Sequence, residues 1–222
     1  MRNHWKIFFN RLAVAIVVMT VVPGLAQARS GETSERDEEL DNLSFVEMVN
    51  SVELGKNAEL IRKFQDKEGK TRLLNSRTVP KADWTVELYR NKEVLLISVP
   101  ASRLFAPNST TLTSGASEYL NPIRRYLRDP DMYRVLLVMH TDNTGSESYR
   151  DNLTVERAES VFNWFEDKGE DTRFLFDYAM SDDMPLKPNN SVDNRADNRR
   201  LEIYLVPGKK MLEQAKKGRI VF

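Results

Sequence analysis

The sequence predicts an α/β (α+β) domain, a mixed sheet with helices packed on it, preceded by a signal peptide and a short helical extension. Three observations carry this. Strand-like runs and helical stripes alternate through the second half of the chain. Of 222 residues, 41% are hydrophobic and 9% aromatic, enough to bury a core and to exclude global disorder. A basic head followed by a short apolar run opens the chain.

The opening segment holds Arg2, Lys6 and Arg11, then Leu12 to Val22, then Pro23-Gly24 and the small residues Ala26 and Ala28. This pattern predicts a signal peptide over 1–28, cleaved after Ala28. The apolar stretch is shorter than the about 20 residues that span a bilayer. The expected location is the periplasm, in association with the wall or the outer membrane.

Residues 29–42 are rich in Glu and Asp and read as a solvated, flexible leader. From Leu43 the pattern changes. Val46, Val49, Val52, Leu54, Ala58, Ile61 and Phe64 recur at helical spacing, with Gly55 as a break. The spacing predicts a helical extension over 43–83 whose stripe packs into the core. Trp84–Tyr89 and Val94–Val99, joined by the polar Arg90–Glu93, predict a hairpin. Ala116, Tyr119, Leu120, Ile123, Tyr126 and Leu127 share one helix face, stopped by Asp129-Pro130. Tyr133–Met139 predicts a strand, Leu153–Lys168 a helix, and Phe174–Met180 another strand. Leu201–Val206, alternating cleanly, predicts the last. Pro207–Phe222 is basic and is expected to be an exposed tail.

Composition narrows the function classes. Lys+Arg and Asp+Glu number 33 each, and nucleic-acid binders usually carry a basic excess. No cysteine is present, which removes disulfides, thiolate zinc sites, thiol catalysis and a lipid-anchor cysteine. The only histidines are His4 and His140, too few for a multi-histidine metal cluster. The roughly 65 residues before the domain lack the alternation of a transmembrane barrel. No serine elbow, paired-carboxylate framework or phosphate-cradling loop appears, so neither an enzyme nor a cofactor is expected.

The most informative segment is His140-Thr141-Asp142-Asn143-Thr144-Gly145, a polar loop between a strand end and a helix. Ligands bind at such places in α/β layouts. Arg157 follows fifteen residues after Asp142, near the start of the next helix. If the chain reverses as this order requires, the two flank one small pocket. A carboxylate beside a guanidinium suits a zwitterion, its ammonium facing Asp142 and its carboxylate taking a bidentate fork from Arg157. His140 is read as a structural hydrogen-bonding residue.

This loop, with Leu153-Thr154-Val155-Glu156-Arg157-Ala158 and Arg195-Ala-Asp-Asn-Arg-Arg-Leu-Glu202, resembles the C-terminal OmpA-like peptidoglycan-binding domain. The resemblance covers about 94–206 and reaches upstream to Leu104-Phe105, Asn108-Ser109 and Leu112. It implies a βαβαββ-type fold over 84–206 that binds peptidoglycan non-covalently through the diaminopimelate of the stem peptide. It implies that Asp142 holds the ammonium and Arg157 the carboxylate. It also implies that Asn198 and, less firmly, Arg199 and Arg200 border the same pocket, with Thr141 and Asn143 beside Asp142 as further candidate ligand-binding residues.

The chain departs from the family pattern at three places. Met139 stands where Gly usually precedes the loop, Arg150 replaces an Asn, and Tyr178–Met184 replaces a glycine-rich turn. Arg150 is expected to point to solvent. These departures keep a second reading open, an envelope interaction protein with a degenerate pocket. In that reading residues 43–80 dock on another envelope protein.

Overall fold

The computed structural model describes residues 38–75 and 84–222. The expected signal peptide and residues 29–37 of the leader lie outside these. The rest of the leader is not simply solvated: α1 (Glu38–Asp41) forms there and Leu40 is buried. Helix α2 (Phe45–Asn50) starts on a capping box. Ser44 Oγ accepts from Glu47 N–H at 3.3 Å, and Ser44 N–H donates to the Glu47 carboxylate at 2.8 Å. At Gly55 the chain turns with φ +54, where the sequence places a break. A 3₁₀ turn (Gly55–Asn57) leads into α3 (Ala58–Phe64), which continues through a π-type turn into α4 (Lys70–Leu74).

The hairpin forms as β1 (Thr85–Tyr89) and β2 (Val94–Pro100). A short α5 (Ala101–Leu104) and α6 (Ala116–Arg124) precede β3 (Tyr133–Met139). Helix α7 (Glu147–Asp167) crosses to β4 (Leu175–Ala179), which pairs parallel to β3. It begins six residues before the predicted Leu153, because Ser146 Oγ caps it by accepting from Tyr149 N–H at 3.2 Å. Then come α8 (Val192–Asn198), which the sequence reading missed, β5 (Arg200–Pro207) and α9 (Lys209–Lys216).

The sheet order is β1-β2-β5-β3-β4, with β5 antiparallel to both neighbours. From β2 onward the core strands and their two long helices follow the βαβαββ order, with β1 added at one edge. All of β5 is buried despite its alternating sequence. The reason is coverage of both faces. Phe45 of α2 packs on Tyr178 and Tyr204, at ring distances of 5.9 and 4.9 Å. The opposite face carries Leu95 and Tyr133, which pair with Leu205 and Pro207. There Gln65 Oε1 accepts from Tyr133 O–H at 3.1 Å, and Tyr126, just beyond α6, packs edge-on to Tyr133 at 5.2 Å. The extension therefore straddles the sheet, and Val49, Val52, Leu54, Ile61 and Phe64 of its apolar stripe are spent on this chain's own core, whereas Val46 faces solvent.

The hairpin turn clasps the extension. Arg90, Asn91 and Lys92 all take positive φ. Arg90 donates to the backbone carbonyls of Val49 and Val52, and also to Glu93, which accepts from Arg62 of α3. The C-terminal segment is docked, not an exposed tail. Met211 and Ala215 are buried, and the Phe222 ring stacks on Tyr126 at 5.3 Å. Gly208 permits this: a Cβ there would lie 2.2 Å from the Asp131 carbonyl oxygen.

Candidate functional site

Strand β3 ends at Met139 and releases the polar loop at one end of the sheet. Gly145 takes φ +88, and a Cβ at that position would meet the Tyr149 ring at 2.9 Å. Asp142 is buried in this loop. Its Oδ1 accepts from Thr144 N–H at 2.7 Å, and its Oδ2 accepts from Arg199 Nη1. Burial raises the Asp142 carboxyl pKa, but the hydrogen bonds from Thr144 and Arg199 outweigh it, and the net value is below the usual carboxylate range. The carboxylate is ionised and oriented.

Arg157 comes from the third turn of α7 and is buried. Its Nε donates to Ser109 O at 2.8 Å and its Nη2 to Ala106 O at 3.4 Å, and the guanidinium lies 4.8 Å over the Phe105 ring. The wall it grips is further held by Tyr149 O–H, which donates to Asn108 Oδ1 at 3.0 Å, with Asn108 at φ +58. Asp142 and Arg157 are thus not partners of each other. Arg199 stands between them in the electrostatic sense. It pairs with Asp142 and also lowers the Arg157 pKa, to which burial contributes most and against which Tyr149 acts.

His140 does not face Asp142. Its Nε2 lies 3.2 Å from Glu202 Oε2, on the sheet face that carries Tyr204, and Nδ1 has no partner among the described residues. Arg200 also turns to Glu202, at 2.7 Å, away from Asp142.

Comparison with known proteins adds the family. Residues 104–199 match the OmpA family. This segment is an OmpA-family domain. The chain is 29% identical over 110 residues to outer membrane protein A of Bordetella avium, covering 50% of this chain and 57% of that protein. It is 33% identical over 102 residues to the outer-membrane lipoprotein YfiB of Pseudomonas aeruginosa, covering 46% and 61%. The chain thus matches less than two thirds of the length of either relative. A MotB-like protein from Desulfovibrio vulgaris superposes with a TM-score of 0.60 at 23% identity, over 68% of this chain and 98% of that one, and shares the fold.

The remaining predicted residues of the OmpA-family domain fall into two groups. Asn143 is exposed on the loop, and Arg199 presents 40% of its side chain to solvent. Thr141 and Asn198 are buried supports. Thr141 N–H donates to Ser181 O at 2.8 Å. Asn198 donates to Lys187 O and Asn189 Oδ1 and accepts from Lys187 N–H, so its amide is spent on fixing the segment before α8. Its side chain holds that segment in place and has little left to offer a ligand.

The departures from the family pattern also resolve. The Met139 side chain is fully buried in the sheet core. Arg150 does not extend into solvent as expected. It donates to Asp182 Oδ1 and to Gly145 O, both at 2.7 Å, and ties the Asp142 loop to the loop after β4. In that second loop Ser181 adopts φ +45, a conformation that costs a non-glycine residue about 1–2 kcal/mol. Tyr149 carries no signal in the sequence, and Phe105 appears there only as part of the upstream stretch of the resemblance. Phe105 gains its role from its contact with Arg157 and Tyr149 from its contact with Asn108, which join segments 52 and 41 residues apart.

Proposed function

We propose that this chain is a non-enzymatic peptidoglycan-binding protein of the cell envelope, exported to the periplasm, which holds the diaminopimelate of the stem peptide without covalent chemistry. The observation that carries this reading is Asp142, ionised and fixed at the end of β3, with Arg157 and Arg199 as the cations around it. Family membership and the envelope names of its relatives support it. The ligand's ammonium takes the place of the Arg199 guanidinium on Asp142 Oδ2. Its carboxylate then meets Arg157 and the released Arg199, so the single Asp142–Arg199 pair is replaced by ligand pairs to Asp142 and to the two arginines.

The same geometry favours a second reading in one respect. Both Asp142 oxygens already accept hydrogen bonds, and Arg157 is already spent on two carbonyls, so a silent pocket would look similar. Co-sedimentation with purified sacculi decides. The unmodified chain is expected in the pellet and Asp142→Ala in the supernatant. A diaminopimelate-containing stem peptide should compete, and a lysine-containing one should not. An unmodified chain left in the supernatant at low salt supports the silent pocket. Equal retention of parent and variant removes the site assignment, and release of soluble muropeptides removes the non-enzymatic reading.

A further inference from the structure

Strand β5 delivers the chain to α9 at the end of the sheet where β3 begins. Tyr133 pairs with Pro207, whereas Met139, at the candidate site, pairs with Leu201. Gly208 N–H donates to Met132 O and Lys210 N–H to Asp131 O, which fixes α9 at that end. The seven residues of β3 separate the two poles by roughly 20 Å.

Helix α9 turns Met211 and Ala215 into the core, so its outer face is committed to solvent. On that face and just after it stand Lys209, Lys216, Lys217 and Arg219, all exposed and none in an ion pair among the described residues. Arg128 extends the patch from the loop before β3, and Lys56 from the 3₁₀ turn that adjoins α9. Lys210 is neutralised by Asp129, and Glu213 is the acid on the helix face. The chain as a whole is neutral, so this concentration of cations is local.

We propose that this pole is a docking surface for an anionic phospholipid bilayer. The charges are spread over two helical turns and the segment beyond, which suits a layer of headgroups better than a single anion. Long lysine stems let each ammonium reach a phosphate while the helix stays anchored through Met211, Ala215 and the stacked Phe222. Val221, 56% exposed, adds an apolar contact at the headgroup level. The surface stands independently of the ligand reading. With that reading, the protein would touch the wall with one pole and a membrane with the other.

The test is flotation of the full chain with vesicles of phosphatidylcholine alone or with roughly one third phosphatidylglycerol, at about 50 and about 300 mM salt. The expected result is binding to the anionic vesicles only, suppressed by salt, and about tenfold or more weaker in K209E/K216E/K217E. Thermal unfolding checks that the variant folds, and a milder K216Q/K217Q variant should weaken binding less. Asp142→Ala should float like the parent, so failure here leaves the wall-binding reading standing and the converse also holds. Equal binding to both vesicles, unchanged binding by the charge-reversed variant, or loss of its sacculus retention with no vesicle binding by the parent would each overturn the proposal.

Discussion

Arg199 closes on Asp142 from 57 residues along the chain, and Arg157, the partner that spacing suggested, grips a carbonyl-lined wall instead. The carboxylate is therefore kept ionised by Thr144 together with Arg199, which is itself partly exposed. In the proposed binding mode a ligand ammonium competes with Arg199 and not with an empty position, so a ligand that also offers Arg199 an anion has the advantage.

Replacing Arg199 with Ala should raise the Asp142 pKa toward the ordinary carboxylate value, because one of its two hydrogen-bond donors is lost while burial remains. The sign for stability follows. A depressed carboxylate contributes above its unfolded pKa and loses that contribution as pH falls through the folded value, so the variant loses part of the acid-side contribution. At neutral pH the cost should stay within about 1 kcal/mol, since Arg199 is 40% exposed. A carbon-detected carboxyl titration and urea unfolding check both.

Arg157→Ala should cost more, about 2–3 kcal/mol, because it removes two buried hydrogen bonds and the packing over Phe105. Asn108 and Ser109 should become more mobile, seen as faster amide exchange over 105–112. Thermal unfolding with hydrogen exchange checks this. A cost indistinguishable from that of an exposed arginine would show that the wall does not depend on Arg157. Ligand-binding measurements on this variant belong well below its unfolding temperature.

Burial holds the His140 pKa below its ordinary 6.5, although Glu202 pulls the other way. The neutral ring places its proton on Nε2, because the Glu202 carboxylate can only accept. A histidine depressed on folding is protonated first in the unfolded chain, so stability should fall as pH drops below about 6.5. The slope cannot exceed about 1.4 kcal/mol per pH unit for one proton. Glu202, which burial would raise but which His140, Arg200 and Tyr204 bring down to about 2, adds its own loss between about 4.5 and about 2. In His140→Gln the upper limb should vanish, and the lower one should shrink without disappearing, because Arg200 and Tyr204 still act on Glu202. Urea unfolding from pH 7.5 to 3 reads both.

Much of the domain was legible because its signals are local. The strand runs, the break at Gly55, the polar turn at 90–93 and the loop 140–145 each follow from residues within a few positions of one another, and the structure places elements at all of them. Other features failed to show for equally physical reasons. The early start of α7 rests on a single Ser146 cap. The alternation of β5 suggested one wet face, yet α2 covers it from 150 residues upstream. The basic C-terminal segment looked like a tail because its anchors, Met211 and Phe222, are few, and their partners Tyr126 and Tyr133 lie far back in the chain.

The amino-acid order alone determined which elements form and where a charged loop meets a helix, since periodicity and turn chemistry act over a few residues. Tertiary structure decided which arginine answers Asp142, where Arg150 and His140 turn, and that one end of the sheet gathers cations. Those outcomes depend on side chains brought together from distant segments, and the geometry of the sheet, not spacing along the chain, sets their distances.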